Sequence, residues 1–178
     1  QAMRIQGLFA AEMAERILKE VRLDGVLFVE PIGGNDRPLL SPDQYEDFVL
    51  PTYEPALRVL HRHGVENIIF LTFANTRVLL PAVLGRGFNC LWACEVNREA
   101  MDYRALRREF GRKLRLIGGI DLDALRRGKE SIRREMQQTL PPLLAEGGYI
   151  PLADGRVREE ISLDNYTYYR RLLEELTT

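Results

Sequence analysis

The feature that most constrains this chain is a repeated alternation. A short, unbroken apolar run is followed by a polar or glycine turn and then by a segment with helical spacing. The runs are Gly25-Val26-Leu27-Phe28-Val29, Asn67-Ile68-Ile69-Phe70-Leu71, Phe88-Asn89-Cys90-Leu91-Trp92-Ala93-Cys94, Leu114-Arg115-Leu116-Ile117-Gly118 and Gly148-Tyr149-Ile150-Pro151-Leu152. Runs of this length without polar alternation suit strands buried on both faces, as in a parallel sheet covered by helices. The last run is the weakest of the five. Pro151 cannot donate to a ladder and belongs at a sheet edge or a strand end.

The segments between the runs carry helix start and stop signals. A first helix is expected from about Leu8 to Val21. Ser41-Pro42-Asp43-Gln44 supplies the parts of a capping box with proline at the first helical position, and Gly64 closes the segment. Pro51 and Pro55 inside it predict a kink or break. Asp102 is expected to cap a helix that ends at Gly111. A short turn over Asp123–Arg127 stops at Gly128. A longer helix from about Ser131 towards Gly147 is predicted to bend or end at Pro141-Pro142. Ser162 caps a final helix with an apolar stripe of Tyr166, Tyr169, Leu172, Leu173 and Leu176. The paired arginines, such as Arg107 and Arg108, read as solvated helix surface.

The pattern is α-(βα)₅ in one α/β domain over residues 1–178, without a linker or low-complexity stretch. It fits either an open doubly wound sheet or part of a TIM-type (β/α)₈ barrel. A complete barrel typically needs about 250 residues, so five strands are too few to close one. Gly33-Gly34 and Gly118-Gly119 lack the spacing of a dinucleotide fingerprint. Lys+Arg number 25 against 26 Asp+Glu, so no basic excess exists to drive nucleic-acid binding. No apolar run approaches the roughly 18 residues of a membrane span. Two cysteines are no disulfide framework, so a reducing cytoplasm is the expected setting. Cys90 and Cys94 share a strand face but lie roughly 13 Å apart at about 3.3 Å per residue, too far for one zinc ion. Both read as buried core thiols.

Working groups in parallel α/β folds sit just beyond the C-terminal strand ends. Those positions are Glu30, then Thr72, Asn75 and Thr76, then Glu95, Asp121 and Asp154. Four of the five strands deliver a carboxylate to one rim. Clustered carboxylates suit general acid work or a polar ligand pocket, because mutual repulsion raises at least one pKa. Each acid can equally cap a following helix or pair with a nearby arginine such as Arg37, Arg77 or Arg156. No histidine falls on this rim, which removes the commonest general base and metal ligand, and no metal site is expected.

Taken in order, these residues resemble a known family. Val26-Leu27-Phe28-Val29-Glu30 through Leu39–Pro51 resembles the fourth strand and following helix of the uroporphyrinogen decarboxylase family. Gly87-Phe88, Glu95, Met101-Asp102, Leu106–Gly111 and Leu116-Ile117-Gly118-Gly119-Ile120-Asp121 resemble its sixth and seventh strands. Gly147–Pro151 followed by Ser162-Leu163-Asp164-Asn165-Tyr166 resembles its last strand and closing helix. The resemblance implies strands four to eight of a (β/α)₈ barrel. It also implies a cofactor-free decarboxylase of a porphyrinogen-type substrate, with Asp154 and Asp121 as catalytic groups and Glu30, Asn75, Glu95 and Arg156 contacting a small polar substrate.

Two departures from the family pattern bear on activity. The position of the decarboxylases' histidine after the last strand is Gly155 here. The related corrinoid- and thiol-dependent methyltransferases place a His-x-Cys pair after the fifth strand, where this chain reads Leu71-Thr72-Phe73-Ala74-Asn75. A methyltransferase-like enzyme and a catalytically silent binding module are therefore the alternatives. Part of a barrel leaves two unpaired sheet edges and an open apolar face, so pairing with another copy or with a missing N-terminal half is expected.

Overall fold

The computed structural model describes residues 1–94 and 101–178 of the chain. Its first part runs α1 (Ala2–Glu20), β1 (Gly25–Glu30), α2 (Pro42–Gln44), α3 (Leu50–Arg62), β2 (Asn67–Phe73) and α4 (Leu80–Gly85). Then come β3 (Cys90–Cys94), α5 (Tyr103–Phe110), β4 (Arg115–Ile120), α6 (Leu122–Arg126), α7 (Lys129–Glu146), β5 (Tyr149–Ala153) and α8 (Leu163–Thr177). All five apolar runs form strands of one sheet, in the order β1-β2-β3-β4-β5, with every neighbouring pair parallel. A doubly wound sheet reverses direction at a switch point, and this one does not. Right-handed crossovers that all step the same way lay their helices on one face. The sheet is therefore an advancing series of (β/α) units, compatible with part of a TIM-type barrel wall.

The register sorts side chains into rows. Phe28, Phe70, Leu91, Leu116 and Tyr149 lie in one row across the five strands. That row faces the helices, and its last four members are buried. The next row, Val29, Leu71, Trp92, Ile117 and Ile150, points the other way. On this helix-free face the outer residues lie open, with Val29 59% and Ile150 61% exposed. Pro151 sits in β5, the outermost strand on its side, where a missing N–H is tolerated. Cys90 and Cys94 are both buried free thiols, and burial pushes the Cys90 thiol up to about 11.

The local signals are met with three corrections. Ser41 and Gln44 close a capping box at α2, and the Asp102 and Ser162 side chains cap α5 and α8. Before Pro51 the chain widens into one π-type turn over Tyr45–Val49, with the Leu50 N–H reaching back to Tyr45 O. This places Pro51 in the first turn of α3, where no backbone donor is required, and α3 then continues through Pro55. Contrary to expectation, α7 neither ends nor breaks at Pro141-Pro142. Its buried residues Ile132, Met136, Leu140 and Leu143 hold one stripe to the core, while Gln137, Gln138 and both prolines lie exposed. The carbonyls that the prolines leave without partners thus belong to the solvent side. Arg107 is the third correction. It is buried, not solvated, and its guanidinium donates to the carbonyls of Gly111, Leu114 and Gly148.

The C-terminal strand ends are fastened by buried phenols. Gly118 and Gly119 take φ of 107° and 84°, which carries β4 off regular ladder geometry. Tyr103, the first residue of α5, packs its ring against Gly119. A Cβ at Gly119 would stand 2.6 Å from its ring. The Tyr103 hydroxyl accepts from Ala93 N–H at 2.9 Å and donates to Ile117 O at 2.7 Å. Tyr149 donates to Gly118 O, and Tyr169 accepts from Ala153 N–H. Burial raises the pKa of all three phenols, so each stays protonated. Tyr103→Phe leaves a buried N–H without a partner and is expected to cost about 1–3 kcal/mol. Gly119→Ala adds backbone strain and displaces the ring, so it is expected to cost about 3 kcal/mol or more. Equilibrium denaturation measures both, and a Gly119→Ala chain as stable as the parent would disprove the clamp.

Candidate active site

Beyond β4 and β5 the chain presents a small polar cavity of about 210 Å³. Asp121 and Asp154 both line it, together with Tyr103, Glu135 and Thr139. The Asp154 N–H donates to Ile120 O at 2.8 Å, which fixes the two strand ends side by side. Asp154 is only 5% exposed. An adjoining cavity of about 400 Å³ also includes both aspartates, with Arg126, Arg158 and Glu160 on its walls.

Asp121 is engaged on all sides. One carboxylate oxygen accepts from Asp123 N–H at 2.8 Å and so caps α6, and the other takes Arg127 at 3.0 Å. Its own N–H donates to Glu135 Oε1 at 3.3 Å, and that oxygen also receives the Thr139 hydroxyl at 3.1 Å. Glu135 and Thr139 are one turn apart on α7 and both buried. Sequence reasoning missed them. The available signal was two polar residues interrupting the apolar Ile132-Met136-Leu140 stripe. Tyr103, directly after the Asp102 cap, was missed as well. Asp102 is at the cavity wall, where its carboxylate binds the Arg104 N–H and guanidinium.

The other expected site residues lie elsewhere. Glu30 was expected beside the aspartates, but it stands in register with Thr72 in a row that faces the helices. There its Oε2 accepts from the hydroxyls of Tyr53 and Tyr45, and burial raises its pKa. Strand alternation is the physical cause: Val29 looks to the open face, so Glu30 cannot. Asn75 donates to Asp36 O at 2.8 Å and accepts from Arg77 N–H. With the Gly34–Asn75 bridge, it ties down the loop after β1. Arg156 is exposed in the loop after β5 and is not among the residues lining the aspartate cavity. Glu95 lies outside the described residues. Among the described residues no group of three His, Cys, Asp or Glu side chains is placed to hold a metal ion. Nor is any helix among them long and apolar enough to cross a membrane.

Residues 9–153 match the family described as uroporphyrinogen decarboxylase (URO-D). No curated protein matches the chain significantly.

The Glu30 environment has a measurable consequence. Its folded pKa is above the unfolded one, so the folded chain holds more protons between the ordinary carboxylate value and the raised one. Stability contributed by Glu30 therefore falls as pH rises through that window. The melting temperature of the parent is expected to decline there relative to a Glu30→Gln variant. Parallel curves for the two proteins would remove Glu30 as the cause.

Proposed function

From the premise that this chain belongs to the uroporphyrinogen decarboxylase family, we propose that it acts on a small polar, pyrrole-type carboxylic acid at the cavity beyond β4 and β5. The observation that carries this reading is the convergence of Asp121 and Asp154 from adjacent parallel strands onto that one cavity. Two acceptors side by side suit a substrate that presents pyrrole N–H donors. Carboxylates in a shielded cavity also favour positive charge developing on a protonated pyrrole ring. In the reaction, the bond from the side-chain carbon to its carboxylate breaks and carbon dioxide leaves. The carbon then takes up a proton.

The two aspartates have different roles in this scheme. Asp121 already has a partner at each oxygen, so it acts as a fixed charge that holds α6 and the cavity wall. Asp154, buried beside Tyr103, is the residue assigned to contact substrate. The engagement of Asp121 also favours a second reading, in which the cavity binds its ligand without turning it over.

Anaerobic incubation with uroporphyrinogen, followed by separation of the oxidised porphyrins, distinguishes the two. Products with fewer carboxylates are expected, and Asp154→Asn is expected to slow their formation by about 100-fold or more at unchanged melting temperature. Absence of products together with saturable quenching of Trp92 fluorescence would establish the binding module instead.

A further inference from the structure

One peptide group connects the two aspartates of the cavity. The pairing of β3 with β4 stops at Ala93 and Gly118, while β4 stays in register with β5 to Ile120. Ile120 O accepts the Asp154 N–H at 2.8 Å on the β5 side. The N–H of that same peptide unit belongs to Asp121, and in a planar trans peptide it points the opposite way. Among the described residues no strand accepts it there. Glu135 on α7 does: its Oε1 takes the Asp121 N–H at 3.3 Å and the Thr139 hydroxyl at 3.1 Å. A single peptide plane is thus held by α7 at one end and by Asp154 at the other.

We propose that Glu135 is a positioning residue for the aspartate cavity, acting through the Ile120–Asp121 peptide to set where Asp154 stands relative to Asp121. The inference rests on the reading of that cavity as the place of turnover. Glu135 and Thr139 are both buried, in a helix face otherwise made of Ile132, Met136, Leu140 and Leu143. A carboxylate among apolar neighbours is costly unless its oxygens are used, and here an oxygen is spent on the cavity wall. The apolar residues fix α7 to the core, and Thr139, one turn on, orients the carboxylate. Asp121 leads straight into α6, whereas Asp154 is followed by the loop that leads to α8. The main chain of Asp154 therefore takes its place from β4, through the peptide that Glu135 holds. A group that contacts substrate needs that kind of support, because small displacements cost rate steeply.

Two variants separate the place of the oxygen from its charge. Glu135→Gln keeps an acceptor oxygen in position and removes the charge. Glu135→Asp keeps the charge and withdraws the oxygen by one methylene group. With uroporphyrinogen, below the melting range of both variants, Glu135→Asp is expected to lower kcat about ten-fold or more with little change in KM. Glu135→Gln is expected to stay within about three-fold of the parent. Hydrogen exchange of the Asp154 amide, followed by NMR, is expected to quicken about ten-fold in Glu135→Asp and to match the parent in Glu135→Gln. The exchange measurement needs no turnover. A parent that forms no product removes the proposed activity, and the Asp154 amide still decides the role of Glu135. Unchanged exchange in Glu135→Asp overturns the inference, as does a Glu135→Asp chain as active as an active parent. The reverse order of the two variants also overturns it, since a purely electrostatic role, such as countercharge to Arg104, would give that order.

Discussion

The site depends on a phenol pressed against two glycines. A parallel sheet normally satisfies its own backbone groups, but the β3–β4 pairing ends at Gly118, where Gly118 and Gly119 adopt positive φ, while β4 stays in register with β5 to Ile120. The backbone groups at the ends of β3 and β4 then need another partner, and the Tyr103 hydroxyl serves one from each strand. A side chain at Gly119 would meet the ring, so the bend and the clamp require each other. Asp121 follows β4 directly, and Asp102, which caps α5, precedes Tyr103. Both carboxylates therefore take their positions from this contact. Because burial holds the phenol protonated, the clamp keeps its donor throughout the range in which carboxylates and imidazoles titrate.

What was legible in the sequence was local. The five apolar runs, the Ser41 capping box, the Asp102 and Ser162 caps and the Gly111 stop each depend on neighbours within a few residues, and each holds in the structure. Strand order was not legible in the apolar pattern alone, because both candidate architectures are built from the same βα units; the family resemblance implied the consecutive order that is observed. Three local rules gave way to tertiary context. Pro141 and Pro142 stay inside α7 because four buried apolar residues fix that helix to the core. Pro55 is carried inside α3 in the same way. Arg107 is buried because three backbone carbonyls converge on its guanidinium.

Parity explains why the rim divided. Runs apolar on both faces carry no mark of which residues face the helices, so every strand-end carboxylate looked equivalent. In the structure Glu30 falls on the helix side of β1, whereas Asp121 and Asp154 lie past the regular ends of their strands. Their side chains are directed by the turns that follow, where alternation no longer applies. Asp121 turns with the first residues of α6, and Asp154 is pinned by its N–H to Ile120 O. Two carboxylates converge because their strands have ended; the third is separated because its strand has not.

The same contrast sets the chemistry open to each group. Asp121 is ringed by donors: a backbone N–H on one oxygen, a guanidinium on the other. That shell fixes both oxygens of the carboxylate in place. Glu30 has two neutral phenols on one oxygen and apolar walls elsewhere, so desolvation outweighs its hydrogen bonds and the neutral form gains. A carboxylate held at both oxygens suits an electrostatic role toward positive charge in a ligand. One barrel-type rim thus yields two different carboxyl environments. The difference follows from whether the residue after the strand enters a helix cap or remains in the helix-facing row.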